Sequence, residues 1–587
     1  MALMAYWQIQ NQSYYPTDYL RYIRVVMDGY RVAIEQNSIF SGLATSHRIL
    51  MGGNRGQTLV HVLWGYPFVL LAKGNILRAI ALHNGVCFFI FLTYTYMISS
   101  EFLSFPKSAL ATVFIGTVPY IFSVTHTFMS ELPFLMTTLA SLYHLMRSGF
   151  FSDRKHSLLA GIWLGLSLCV RPIETLLMFL LPVIGCVAFG LRKRAISIND
   201  CFFGVLLSGV AMCFLLSSVH FEGLFGFSEF MRKVFPVLFL CAVAMYFRKR
   251  LRLSLPFTWA LVACVSIVSA WQIPLAHTFW HWIWVASFGD SVQEFPVNGT
   301  TLLVRIAYQL MGAPFLFLFL VGCFCLFSAF KRGLKISPYV WLPGLTATSM
   351  VASMVSRNPD IRYHFSAVCV LFLVLVIVAL SENLSFAKAR TTLVFAICAY
   401  QCAGTAGITL DVLNPRLINR FFSSNYFVLV TPPGREVVQG PLLDGLQGLF
   451  PKNRPLRIAI VQPWDIGPGA YIFNTEPDAL MLLATTRGLN WSIERQGGES
   501  IGNTELLNFL ISQKYDYVLV GEPDLKKIGR TAVTPLWESS EWLTRLLRNA
   551  VHDRIVMNYG YSYVGQVPIT YASRYKSEFL VLQRNDN

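Results

Sequence analysis

The sequence predicts a polytopic α-helical membrane protein of about twelve spans, with interfacial helices in the first outer loop and a C-terminal extracytoplasmic α/β domain. Hydrophobic residues fill 55% of the 587 positions, only 13% are charged, and mean hydropathy is +0.52. Soluble globular chains are far less apolar. From residue 411 the chain has 18 Lys and Arg against 17 Asp and Glu, of 47 and 31 in total. The basic excess therefore belongs to the membrane part and indicates topology and contact with anionic lipid, not nucleic-acid binding.

Three segments follow from the apolar pattern: a first outer loop at 1–76, a transmembrane domain at 77–410 and the α/β domain at 411–587. Each predicted span is an apolar run long enough, or nearly so, to cross a bilayer. The runs lie at about residues 77–99, 107–123, 131–147, 157–171, 173–190, 202–219, 234–247, 256–275, 303–330, 338–356, 362–381 and 391–410.

Orientation follows from clustered cations. Lys and Arg concentrate between Arg147 and His156 and at 192–194, 248–250, 331–335 and 388–390. The positive-inside rule makes that side cytoplasmic, which leaves the first loop and the tail outside. Because no disulfide framework is visible among the 12 scattered cysteines, we expect a bacterial plasma (inner) membrane as the location.

The first outer loop is not loop-like in composition. Residues 19–39 and 58–71 carry apolar residues with helical spacing, which predicts interfacial helices. A buried span over 58–74 is the alternative, and it would move the start of the chain inside. Only residues 1–7 are apolar before this loop, too short for a span or a signal sequence. We therefore expect a leading span to be missing from the recorded start.

The sequence pattern of the tail is typical of a small α/β domain. Its expected strands lie at 456–461, 515–520 and 578–583, and its expected helices at 476–487, 504–513 and 541–550. No glycine-rich phosphate loop follows either main strand. We assign this domain no catalytic role.

Two carboxylates are the catalytic candidates. Asp18 follows Pro16-Thr17, and Glu131 lies in a Ser-Glu-Leu-Pro-Phe sequence at the start of a predicted span. A carboxylate beside hydrocarbon is costly and marks function by default. Both residues fall on the predicted outer face.

The order of these motifs resembles a known family. An Asp-Tyr in the first loop precedes Trp64-Gly-Tyr-Pro67, the Ser-Glu-Leu-Pro-Phe loop, a span ending in Arg171-Pro172, and Arg362-Tyr363 at the start of a later span. The pattern resembles the C-type (GT-C) membrane glycosyltransferase superfamily, in the branch similar to protein O-mannosyltransferases and lipid A aminoarabinose transferases. The likeness covers residues 10–185 best. The family's leading helix is absent, and its acidic pair in the first loop is reduced to Asp18.

The resemblance implies an enzyme that moves a sugar from a polyprenyl-phosphate carrier to an acceptor hydroxyl at the outer face, with inversion. Asp18 is expected to be the base and Glu131 to orient the acceptor or share that role. Arg171 and Arg362 would hold the phosphate, and Tyr363 and His126 complete the predicted substrate-binding set. The expected partners are the donor, a lipid, glycan or protein acceptor, and the bilayer. No cofactor is predicted with certainty, no metal ligand is assigned, and dependence on a divalent ion is left open.

Each assignment has a structural alternative. Asp18 would cap a helix beginning at Tyr19, and Glu131 would cap its own span. Arg171 would lie in a turn with its guanidinium at the headgroups, or be neutralised by Glu174. Arg362 would pair with Asp360.

A transporter or flippase for a lipid-linked or amphipathic substrate is the alternative function. Transporters usually show paired repeats and broken helices with charges near the midplane. Here the predicted charges gather in outer loops and a domain lies outside, which favours the enzyme.

Overall fold

The computed structural model describes most of the predicted membrane part and the core of the tail. The described residues are 17–52, 60–118, 121, 124–125, 128, 130–192, 255–272, 318, 320–322, 324–325, 361–382, 386–409, 437–438, 457–461, 482–485, 503–512, 514–521, 535–571 and 575–585. They form two compact units. One comprises residues 25–70 and 80–430, and the other comprises 1–24, 71–79 and 431–587.

The first of these units is helical throughout its described part. Among the described residues, eleven helices precede the tail: α1 Thr17–Glu35, α2 Ile39–Gly52, α3 Val60–Leu71, α4 Ile76–Ser100, α5 Phe105–Gly116, α6 Glu131–Arg147, α7 Arg154–Val170, α8 Pro172–Arg192, α9 Leu255–Gln272, α10 Ile361–Leu380 and α11 Ala387–Thr409. Helices α4 to α11 coincide with eight predicted spans. The predicted spans at 202–219, 234–247 and 338–356, and most of 303–330, lie outside the described residues.

Two of the described helices are long and apolar enough to cross a membrane, over Arg78–Ser100 and Glu174–Leu191. Shorter apolar helical stretches cover Val60–Leu71, Pro256–Val268 and Val368–Leu380. The core helix of a soluble protein has the same length and composition, so the twelve-span architecture stays a prediction.

Apolar side chains are exposed at helical spacing on two of these helices. On α4 the exposed side chains are Leu82, Val86 and Phe89, and on α8 Leu176, Leu180 and Ile184 are all more than half exposed. Such stripes are unusual on a soluble protein and suit contact with acyl chains.

The predicted helix over residues 19–39 is shorter than expected. Helix α1 ends at Glu35, and Asn37 adopts a left-handed φ of 48° before α2 begins at Ile39. Asn tolerates this conformation better than most residues, which explains the sharp break. The α1–α2 pair is fastened by the Ser46 hydroxyl, which donates to Val25 O at 3.0 Å, and the Tyr66 hydroxyl of α3 donates to Ile39 O at 2.9 Å.

Helices α7 and α9 approach each other closely through small residues. A Cβ on Gly161 would overlap the backbone carbonyl of Ala260, and one on Gly165 would lie 3.1 Å from the carbonyl oxygen of Cys264. The two glycines are four residues apart and form the small-xxx-small pattern that lets helix backbones meet in membranes.

The tail contains a six-stranded mixed sheet with strand order β1-β5-β6-β4-β2-β3. Its strands and helices are β1 Val437–Val438, β2 Arg457–Val461, β3 Leu482–Thr485, α12 Asn503–Ser512, β4 Tyr517–Val520, α13 Pro535–His552, β5 Tyr561–Tyr571 and β6 Tyr575–Arg584. Strand β2 runs parallel to β3 and β4, and the remaining pairs are antiparallel.

The described tail elements match five of the six predicted ones. Strands β2, β4 and β6 and helices α12 and α13 form where the sequence predicts them, within a few residues at most ends. The predicted helix at 476–487 is wrong, because Leu482–Thr485 forms strand β3 beside β2. The buried Tyr561 hydroxyl donates to Tyr515 O at 3.0 Å, and burial raises the pKa of this phenol.

Candidate functional site

Glu131 is the first residue of α6, a helix whose side chains are buried from Glu131 to Met146. Its carboxylate is 2% exposed, and Oε1 accepts a hydrogen bond of 2.6 Å from Arg171 Nη2. The other oxygen, Oε2, is buried and has no hydrogen-bond partner among the described residues. Glu131 therefore presents one satisfied and one open acceptor.

The neighbouring Ser130 does not cap α6. Its side chain makes no capping hydrogen bond. Instead, its hydroxyl accepts from Arg171 Nε at 2.9 Å. The run Ser130-Glu131 thus serves Arg171, and the alternative of a simple helix cap fails for the serine.

Arg171 lies at the corner between α7 and α8 and is only 8% exposed. Its guanidinium faces two carboxylates, at 2.6 Å from Glu131 and 3.4 Å from Glu174. The guanidinium is buried against these carboxylates, which fits neutralisation by Glu174 better than the alternative of an exposed guanidinium at the headgroups. Thr175 fixes the corner, because its hydroxyl donates to Arg171 O at 2.6 Å.

These four residues, Ser130, Glu131, Arg171 and Glu174, are called the Arg171 cluster below. With every group ionised it holds two negative charges against one positive charge. A buried ion pair is stable only when its remaining polar atoms are satisfied. The open Glu131 Oε2 is therefore the place where a ligand's donor group would be bound most strongly.

A second buried polar group lies beside the cluster and was not predicted. The ring of Phe128 lies 6.0 Å from that of His61 and 4.9 Å from that of His83. The positive charge of Arg171 acts on the His61 ring. The Asn84 side chain makes two polar contacts. Its Oδ1 lies 2.8 Å from His83 Nδ1, and its Nδ2 donates to Thr125 O at 2.9 Å.

The signal for these residues was present in the sequence. His61 interrupts the apolar run of α3, and His83-Asn84 interrupts that of α4. Polar side chains inside apolar spans are functional candidates by default. They hold the segment before Glu131 against α4.

The other predicted site residues are placed less completely. Asp18 lies in α1, and Arg362 and Tyr363 lie in the first turn of α10, but only their backbones are described. His126 lies outside the described residues. Asp18 and Glu131 belong to different compact units, so the predicted convergence of the two carboxylates stays a prediction.

Metal chemistry has no visible ligand set in the part of the chain that is described. There, no group of three or more His, Cys, Asp or Glu side chains is arranged to hold an ion. The cysteines described are all free thiols, and none is exposed.

Comparison with protein-family models gives no match, and comparison with curated proteins gives none either. The function of the protein is therefore inferred from its own residues.

Proposed function

We propose that the protein is a membrane glycosyltransferase that moves a sugar from a polyprenyl-phosphate carrier to an acceptor hydroxyl at the outer face of the plasma membrane. One observation carries this proposal. A buried carboxylate, Glu131, is fixed through one oxygen by Arg171 and leaves the other oxygen open. A general base needs this arrangement, because it must be oriented and still accept a proton.

In the proposed reaction the acceptor hydroxyl donates to Glu131 Oε2 and loses its proton there. The acceptor oxygen forms a bond to the anomeric carbon as the bond from that carbon to the carrier's phosphate oxygen breaks. The phosphate leaves with the electron pair of that bond, and configuration inverts. The acceptor is a lipid, a glycan or a protein, and Asp18 is the second candidate for the base.

The contacts of Arg171 change its proposed role. Its guanidinium already faces two carboxylates, so a phosphate would have to compete with both. We assign Arg171 the positioning of Glu131. Arg362, with Tyr363, is then the better candidate for holding the leaving phosphate through charge-assisted hydrogen bonds.

The decisive test is turnover of a labelled polyprenyl-phosphate sugar by the full-length protein in lipid nanodiscs, with and without Mg²⁺. Glu131→Gln keeps the shape and the hydrogen bond to Arg171 but cannot take a proton. We expect turnover to fall by about 10²- to 10⁴-fold, the usual contribution of a general base. Asp18→Asn tests the second carboxylate in the same assay.

The control is Glu382→Gln. Glu382 is exposed and pairs with Lys107 at 2.9 Å, away from the Arg171 cluster in sequence and contacts. We expect its turnover to equal that of the wild type. Normal turnover by both Glu131→Gln and Asp18→Asn, with donor binding intact, would refute the catalytic assignment.

A carrier is the second candidate, because a charged cluster buried between helices is also typical of transport proteins. The observation that supports a carrier is that the Arg171 cluster holds two carboxylates against one guanidinium. Movement of an unmodified lipid-linked substrate across sealed vesicles would decide for the carrier. Sugar transfer without such movement would decide for the enzyme.

A further inference from the structure

A second titratable group lies at the end of α6 opposite to Glu131. His144, in the last turn of α6, lies 2.9 Å through Nδ1 from His156 Nδ1 in the first turn of α7. Its Nε2 lies 3.0 Å from the Tyr94 hydroxyl of α4. These contacts join three helices, and His144 and His156 are called the histidine pair below.

The contacts of the histidine pair limit how many protons the two rings can hold. The contact between the two Nδ1 atoms holds one proton, with one ring donating and the other accepting. One additional proton fits, because a cationic His144 would donate to both Tyr94 Oη and His156 Nδ1. A further proton would set N–H against N–H. The contact between α6 and α7 would then have to open.

The charged surroundings come from three helices. Arg147 of α6 pairs with Glu101 beyond the end of α4 at 3.2 Å, and Lys155 of α7 acts on His144. Tyr143 and Trp163 add ring contacts. The other helices add no charge here. Helix α9, residues 175–191 of α8 and residues 368–380 of α10 contain no acidic or basic side chain. Burial of His144 and an excess of cations, Arg147, Arg154 and Lys155 against Glu101 and Asp153, oppose further protonation, so the opening step requires acid.

The turn between α6 and α7 is strained. Gly149, Phe150 and Phe151 all have positive φ, at 56°, 62° and 61°. A bulky residue in this region is an outlier that persists only when its surroundings hold it. Asp153 holds the far side by accepting from His156 N at 2.7 Å. The turn is therefore poised to rearrange when a neighbouring contact is lost.

We propose that the histidine pair is a proton-operated latch that closes the α6–α7 turn near neutral pH and releases it on acidification. The turn lies on the predicted cytoplasmic side, so the latch would respond to the pH of that compartment. The inference does not depend on the proposed transferase activity. Histidine is suited to it because its ordinary charge change lies nearest to neutral pH, and the surroundings of this pair move uptake of the releasing proton toward acid.

Hydrogen–deuterium exchange of the full-length protein in nanodiscs between pH 8 and 4 tests the latch. After correction for intrinsic exchange, we expect protection of peptides covering 148–157 to fall below the midpoint by up to about tenfold per pH unit, the limit for uptake of one proton. His156→Asn keeps a side-chain donor and acceptor without titrating, so its protection should be independent of pH.

The matched control is His552→Asn, at an exposed histidine of α13, which should keep the wild-type response. His144→Asn provides a second non-titrating variant if His156→Asn folds poorly. A wild-type turn whose protection does not change between pH 8 and 4 overturns the proposal. So does a full response that survives in either folded pair variant.

Discussion

Arg171 sets the cost of substitutions at the candidate site. Its guanidinium is shared by Ser130, Glu131 and Glu174, and all four residues are buried. Removing one member of a buried ion pair leaves an uncompensated charge, whereas replacing both members by neutral groups costs far less. The cluster is therefore expected to show strong coupling between its members.

We predict that Arg171→Met lowers the free energy of unfolding by about 3–5 kcal/mol. Glu131 and Glu174 would lose the one cation that pairs with them among the described residues. Adding Glu131→Gln should recover part of this loss. Denaturant unfolding in detergent micelles measures both variants. Arg171→Lys is the control that keeps the charge. Equal stability of Arg171→Met and wild type would contradict the ion-pair account.

The residues of the cluster could be predicted singly but not as a group. Glu131 was predicted as a carboxylate at the outer edge of a span, and Arg171 from the Arg171-Pro172 motif at the end of another. Their pairing was not predicted, since helical periodicity relates only neighbours on one helix and these residues are 40 positions apart. His61 and His83 each interrupt an apolar run and could have been singled out, but their meeting around Phe128 depends on how α3 and α4 pack.

Among the helices, the contact of α7 with α9 depends on the absence of a side chain at Gly161. Alanine usually stabilises a helix over glycine by about 1 kcal/mol. Here the added methyl would meet the backbone of Ala260, which cannot move aside as a flexible side chain can. Packing should therefore outweigh helix propensity.

We predict that Gly161→Ala lowers the free energy of unfolding by about 1–3 kcal/mol, the usual cost of overpacking. Unfolding of the detergent-solubilised protein, followed by helical circular dichroism, provides the measurement. Ala389→Val, at an exposed position of α11, adds more volume and should change stability by less than about 0.5 kcal/mol. A stabilised Gly161→Ala would mean that the two helices do not meet as described.

Whether a tail segment forms a helix or a strand could be predicted where its local sequence preference agrees with its pairing in the sheet. Strand β3 was predicted as helix because its Leu-Leu-Ala sequence favours helix, but parallel pairing with β2 prevails. Strand β5 was not predicted at all. It contains Gly565, at a register shift, and Pro568, which pairs only with Glu578 of β6. Proline is tolerated in a strand where its missing N–H is not needed for the ladder, and among the described residues Pro568 has no partner on the other edge of β5.

For the whole chain, topology is the prediction on which the proposed function depends. All 12 cysteines lie between Cys87 and Cys402, so the tail offers no thiol of its own. We predict that Asn587→Cys reacts with a membrane-impermeant maleimide in intact cells, because the tail is expected outside. Arg154→Cys, at the exposed start of α7, should react only after permeabilisation. The opposite pattern would invert the proposed orientation.

The enclosure of α6 has a consequence for biosynthesis. Every side chain from Glu131 to Met146 is buried, and one of the helices packed against α6 is α10, which is made more than 200 residues later. If α6 spans the membrane as predicted, the translocon would release it while part of its final covering is still unsynthesised. A nascent chain cut short before residue 361 would display this helix to lipid, and we expect membrane proteases to degrade such a fragment faster than the full-length product.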